Sequence, residues 1–206
     1  MTPKQIDKMV RKARVQMYSQ LDSGKLRELL LLSKAYKNYA MDKIDKRMKD
    51  LEESSSLEQE VKEDLVYLLS ENVSDTQEIS KIGEELAIIG LYKSQEIAIK
   101  IAAKASGLFS DKQIDEFYCT KKFNKHLKSI GIDVTLIADF KKFNELKLLN
   151  NCLKHSGIVD KKLAIARPER WKEGRVITDV TKDFDYLIVP SINFVREFGY
   201  QLRKKI

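Results

Sequence analysis

The chain has 206 residues, 43% of them hydrophobic and 33% charged, with 38 Lys and Arg against 31 Asp and Glu for a net charge of +7. The apolar share excludes bulk disorder, and a single core can bury most of it at this length. Only 8 Gly and 3 Pro leave long stretches without a breaker, which favours helices over many short strands.

The basic excess permits contact with phosphates or an acidic partner, and it equally suits a salt-bridged helical surface. The two cysteines, Cys119 and Cys152, lie in separate segments with no CxxC. That spacing argues against a disulfide framework or a zinc site and suits a reducing compartment. No apolar run approaches roughly eighteen residues, so no spanning helix is expected. The start "MTPKQIDKMVRKARVQ" lacks the apolar region of a secretory signal. Cytoplasmic residence without membrane contact is the expectation.

Thr2, Pro3 and Gln5 form a helix start signal with a capping box. Ile6, Met9, Val10, Ala13 and Met17 then recur at helical spacing, opposite a basic stripe of Lys8, Arg11, Lys12 and Arg14. "LDSG" at 21–24 breaks this helix, and Ser23 is a candidate cap for the next. A second helix is predicted over about 25–53. Leu26, Leu29, Leu30, Ser33, Tyr36, Tyr39 and Ala40 mark one face, extended by Ile44, Met48 and Leu51. "ESSS" at 53–56 is a polar break. "LEQEVKEDLVYLLSENV" predicts a third helix, able to form a hairpin with the second.

Residues 74–107 predict a further helix with acids early, lysines late and Gly107 at its C-terminal cap. Its apolar middle suits the centre of a bundle, and Gly83 and Gly90 suit close helix contact. Ser110 and Gln113 repeat the capping-box spacing. "TKKFNKHLKSIG" is a short basic helix, with His126 expected to be exposed among lysines. "ADFKKFNELKLLNNCLKH" follows, closed by Ser156 and Gly157. Residues 158–190 read as an irregular insertion with one short strand pair, "RVITDV" and "DYLIV", before a last helix from Ser191 to Lys205. The expected fold is all-α: a bundle of five to six helices with that insertion before the C-terminal helix. Residues 1–73 form N-terminal helices, either an arm or part of the bundle, and 74–206 form the bundle proper.

The segment "LLNNCLKHSG" at 148–157 carries the chemistry-bearing side chains. Phe140, Phe143, Leu146, Leu149, Cys152 and Leu153 step by three or four and form a core stripe, in which Cys152 is buried filler. Lys147, Asn151 and His155 step by four on the other side, with Lys154 close to that row and Asn150 at its edge. Lysines offset phosphate charge, and an imidazole can take a proton from a ribose 2′-hydroxyl or give one to a leaving oxygen. An amide can orient the histidine or bind a phosphate oxygen. None of this needs a metal. The same residues also suit the solvated C-terminal end of a helix, where Lys and His meet the dipole and Asn and Gly end the turn.

"FNELKLLNNCLKHSG", following "IGEELAIIGLYKSQEIAIKIAAK", resembles the HEPN superfamily, small all-α domains of prokaryotic defence, toxin–antitoxin and RNA-processing systems. Their signature is an Arg, usually followed by a polar residue, with a His five to seven positions after the Arg. The resemblance covers roughly residues 75–206. It implies a homodimer whose paired motifs line one cleft, a metal-independent endoribonuclease activity on RNA, and a cognate regulatory protein. On this chain it implies that His155 is the general acid and base, with Asn151 as the polar residue. Asn150 stands where the Arg is expected, and it cannot supply a charged fork to a phosphate. Lys147 and Lys154 are the candidate phosphate-binding charges. Arg167, Arg170 and Arg175 in the insertion are candidates to fold back with the absent guanidinium, or else exposed loop arginines. The alternative function is a non-catalytic helical module that binds a partner protein or nucleic acid.

"NNCLKH" also matches the N-box of histidine-kinase ATP-binding domains, but only Gly174 and Gly199 follow Gly157 and no DxGxG appears. No Walker A motif, GxGxxG or metal-ligand cluster is present, so no cofactor and no metal is expected.

Overall fold

The computed structural model describes residues 1–22 and 24–206, the side chain of Leu26 excepted. The expected cap at Ser23 and the inward position of Leu26 lie outside the described residues. Eight α-helices occur among the described residues: α1 Pro3–Tyr18, α2 Gly24–Glu53, α3 Gln59–Ser106, α4 Asp111–Asp115, α5 Thr120–Ser129, α6 Phe140–His155, α7 Lys161–Ala166 and α8 Thr181–Lys205. Short 3₁₀ turns at Glu116–Tyr118 and Val134–Leu136 lead into α5 and towards α6. The fold is all-α, as Gly and Pro scarcity predicts.

The capping signals act where they stand. Thr2 Oγ1 accepts from the Gln5 N–H at 3.3 Å while the Gln5 side chain accepts from the Thr2 N–H at 2.8 Å. Ser110 and Gln113 repeat the exchange at the head of α4. Gly107 ends α3 with φ of 66°, a left-handed cap that glycine adopts without a Cβ penalty.

Two predicted helices are one. The acidic segment 57–73 and the apolar segment 74–107 join in α3, 48 residues long, so the suggested boundary at 73–74 lies in mid-helix. Nothing between them breaks a helix. The N-terminal part of α3, to just past Gly83, pairs with α2 as a hairpin, and α3 also packs against α1, α6 and α8. Val15 of α1 is fully buried, so α1 belongs to the bundle, while α2 and the start of α3 form an arm. The hairpin closes tightly at Gly83. A Cβ there would lie 2.6 Å from Ser33 Oγ, and that hydroxyl donates to the Ser80 carbonyl at 3.0 Å.

The insertion differs from its sequence reading. "DYLIV" is not a strand: α8 begins at Thr181 and runs through Pro190. Phe184, Leu187 and Ile188 step helically onto the core, and burial of that stripe outweighs the hydrogen bond lost to proline. "RVITDV" contributes one isolated antiparallel bridge, Val176 to Ile158. The core centres on α3, α6 and α8, where Phe143 and Phe194 stack at 4.3 Å. Trp171, Phe184, Phe198, Leu146 and Leu149 are fully buried around them.

Candidate functional site

The inner side of α6 is fixed by Phe143, Leu146, Leu149 and Cys152, all buried. Helical periodicity then turns Asn144, Lys147, Leu148 and Asn151 outward. They form one wall of an open groove of about 560 Å³. Cys119, Thr120 and Lys121 at the start of α5 form the second wall, and Lys162, Ile165 and Ala166 of α7 form the third. Asp160 caps α7, accepting from the Leu163 N–H at 2.7 Å, and so sets the angle of that wall.

Lys147 is half-buried. Its ammonium donates to Thr120 Oγ1 at 2.8 Å and to the Tyr118 carbonyl, which ties α6 to the start of α5. Burial pulls its pKa below the ordinary lysine value, against the opposing effect of Cys119 and Glu96. Cys119, for which the sequence suggested no role, lies at the N-terminus of α5. It makes no cap hydrogen bond of regular geometry, yet its pKa is lowered, first by the Lys122 amide, then by the Lys121 amide and the Lys122 and Lys147 charges.

The motif divides into three environments. Asn151 is exposed on the groove wall. Lys154 and His155 are exposed on the last turn of α6, beyond the groove lining. The His155 imidazole makes no hydrogen bond among the described residues. Asn150 is only 2% exposed, so it lies inside rather than at the edge of the presented face. Its Nδ2 donates to Asn151 Oδ1 at 3.3 Å, and its Oδ1 has no partner among the described residues. Asn150 therefore touches a ligand only through Asn151.

The insertion arginines do not return to α6's outer face. Arg167 is 8% exposed, in ion-pair contact with Glu145 Oε1 at 3.0 Å and with the Asp183 carboxylate. Arg170 binds Asp183 through Nε and Nη2 at 2.8–3.2 Å and lies 4.4 Å from the Trp171 ring centre. Trp171 Nε1 donates to Glu145 at 3.1 Å. Both arginines are thus committed to a buried ionic cluster that joins α6 to α8. Two acids on apolar stripes, Glu145 between Phe143 and Leu146 and Asp183 beside Phe184, were the sequence signal for it. Burial raises the Glu145 pKa, opposed by the Trp171 hydrogen bond and the Arg167 charge. Arg175 is exposed, and its carbonyl accepts from the Val159 N–H.

His126 is not a free surface histidine. Its side chain is 13% exposed and meets Glu116 Oε2 at 2.8 Å. Among the described residues no group of three His, Cys, Asp or Glu side chains is arranged to hold a metal ion, and no helix is long and apolar enough to cross a membrane.

Comparison with protein-family models, with curated proteins and with solved structures finds no match to this chain.

Proposed function

We propose that the chain binds RNA along the outer face of α6 as a HEPN-like protein, and that His155 gives it a metal-independent endoribonuclease activity of the kind used in prokaryotic defence or toxin–antitoxin systems. One observation carries the binding reading. Lys121, Lys147 and Lys162 converge on one groove with the amides of Asn144 and Asn151 and the Thr120 hydroxyl, and no carboxylate lines it. In a chain with 31 acids, that segregation is the pattern a phosphate backbone requires.

The spacing divides the work. Lys147 and His155 are eight residues apart on one helix, about 12 Å along its axis. One phosphate cannot meet both. The scissile phosphate belongs at the last turn, with Lys154 offsetting its charge and His155 moving the 2′-hydroxyl and leaving-group protons. The groove lysines then hold a neighbouring nucleotide. Asn151 is one turn from His155, and with its Oδ1 engaged by Asn150 its own NH₂ is left to donate to a phosphate oxygen. In a homodimer, two such faces would line a common cleft, and a cognate protein covering it would be the regulator.

A non-catalytic nucleic-acid-binding module is the second reading, favoured by the burial of Asn150 where the family motif has Arg. Labelled structured RNA incubated with the protein in EDTA separates the two. The catalytic reading expects cleavage that His155→Ala abolishes while fluorescence anisotropy still reports binding. Lys121→Ala and Lys162→Ala are expected to weaken binding across sequences and lower the salt slope by about one each. Binding without cleavage by either protein supports the module, and absence of binding overturns both.

A further inference from the structure

The α2–α3 arm buries one side of each helix and leaves a second apolar stripe uncovered. On α2 the inward row is Leu30, Ser33, Ala40, Ile44, Met48 and Leu51. About 100° around the helix, Leu29, Leu32, Tyr36 and Tyr39 form another row, 38%, 67%, 43% and 68% exposed. On α3 the inward row is Leu65, Leu69, Val73, Thr76 and Ser80. Ile79, Ile82 and Leu86 lie about 100° from it and are 49%, 49% and 50% exposed.

The two rows are displaced in the same angular sense on antiparallel helices, so they face the same side of the hairpin. The Ser33–Ser80 hydrogen bond fixes the register, setting Leu32 beside Ile82 and Leu29 beside Leu86. The result is one continuous apolar face across both helices. It continues towards the arm's tip into a groove of about 520 Å³, where Arg47 and Asp50 of α2 meet Leu68 and Asn72 of α3.

We infer that this face is covered by the same face of a second copy of the chain, forming a four-helix bundle from two arms. Charge selects the occupant. Beyond the apolar rows, the α2 edge of the face presents Lys43, Lys46 and Arg47, and the α3 edge presents Asp64, Glu71, Asp75 and Glu78. All seven are exposed, and none has a salt bridge within the chain among the described residues. A two-fold axis along the arm lays α2 of each copy antiparallel over α3 of the other. Lys43 then lies over Glu71 of the second copy and Leu32 over its Ile82, while Arg47 lies within about one turn of both Glu71 and Asp64. Together with Lys43 and Lys46 it outnumbers the one α2 acid there, Asp50, which stands opposite Asp64. Rotation about the perpendicular axis instead sets α2 on α2, lysine against lysine.

Area agrees. At about 200 Å² for each fully exposed side chain, the seven apolar residues expose roughly 700 Å², close to the ~800 Å² per partner of a standard interface. An anionic lipid surface is disfavoured by the acidic α3 edge. The inference goes beyond the RNA reading, which lines one cleft with two α6 faces but does not say which surfaces hold the two copies together, and none of these residues lines the α6 groove.

The test is charge exchange in the full-length chain, read by sedimentation velocity and light scattering. The unaltered chain is expected to be a dimer at micromolar concentration. The double variants Lys43→Glu/Arg47→Glu and Asp64→Lys/Glu71→Lys are each expected to dimerise at least tenfold more weakly, and their equimolar mixture to recover the original affinity. All four positions are exposed, so the variants keep the fold, which circular dichroism checks. Leu32→Glu/Ile82→Glu is expected to be monomeric. RNA binding by these monomers keeps failure of this interface separate from failure of the groove. A monomeric unaltered chain at about 100 µM, a dimer that neither exchange affects, or a monomer that co-sediments with phosphatidylglycerol vesicles overturns the inference.

Discussion

The bundle and the arm are built from the same kind of helix and are held in different ways. In the bundle, α6 and α8 meet through stacked phenylalanines, fully buried aliphatics and an ionic cluster of Arg167, Arg170, Glu145 and Asp183. In the arm, α2 and the N-terminal part of α3 share a single seam, with Leu30, Ile44 and Leu69 as its most buried aliphatics and a close approach at Gly83. Depth of burial, rather than helix propensity, separates a rigid platform for the α6 groove from an arm with an unfilled side.

Three measurements break or sharpen that contrast. The largest effect belongs to the ionic cluster. Asp183→Ala leaves Arg167 buried against one carboxylate instead of two, and chemical denaturation is expected to record a loss of about 3–5 kcal/mol. Equal stability of the variant would mean the cluster is surface decoration.

The same Gly→Ala change can be made in each region. At Gly199 of α8 a Cβ would overlap both Oγ and Cβ of Ser19, the buried serine that ends α1. Overpacking of about 1–3 kcal/mol there outweighs the ~1 kcal/mol that alanine gains over glycine within a helix. At Gly83 the clash is with Ser33 in the more open arm, and a smaller net loss near ~1 kcal/mol is expected. Urea unfolding of both variants checks the order. A larger loss at Gly83 would reverse the ranking of the two regions.

The smallest effect concerns Glu116, which meets Lys122 and His126 at 2.8 Å each on the bundle surface. Those hydrogen bonds, Lys122 first, hold its carboxyl down at about 2. Its folded pKa is depressed, so the stabilisation is present above the ordinary value of 4.5 and is lost as pH falls through about 2. Glu116→Gln should lower the thermal midpoint slightly at neutral pH, and the gap from the unaltered chain should close between pH 4.5 and about 2. A gap independent of pH would mean that the amide replaces the contact by shape alone.

Much of the bundle was legible in local signals. Capping boxes at Thr2 and Ser110, the glycine stop at 107 and the core stripe of α6 all act over three to seven residues, which is the range a sequence encodes directly. Choice of face was not legible. In α1 the periodic row Ile6, Met9, Val10, Ala13 and Met17 is exposed, while Arg11 and Lys12, from the basic stripe, are half-buried. Periodicity reports that a helix has an apolar face but not that the neighbour lies there. In α2 the single predicted face separates into two, with Leu30 and Ile44 inside and Leu29, Tyr36 and Tyr39 outside. The groove was half legible. Lys147 and Asn151 share one helix and one row, but Lys121 and Lys162 reach them only through the packing of α5 and α7. The arginines of the insertion looked free because their carboxylate partners lie 13 to 22 residues away.

The 48 residues of α3 run unbroken from the arm into the bundle, a rod of about 72 Å. No loop separates its two halves, so the arm has no joint at which to swing freely. A movement at its tip must pass into the bundle as bending of this one helix, and a tilt of a few degrees at the base displaces the tip by several ångströms. The second half of α3 packs against α6, whose opposite side forms the groove wall. The chain is therefore wired as a lever, with its long end at the arm and its short end beneath the row of Lys147, Asn151 and His155.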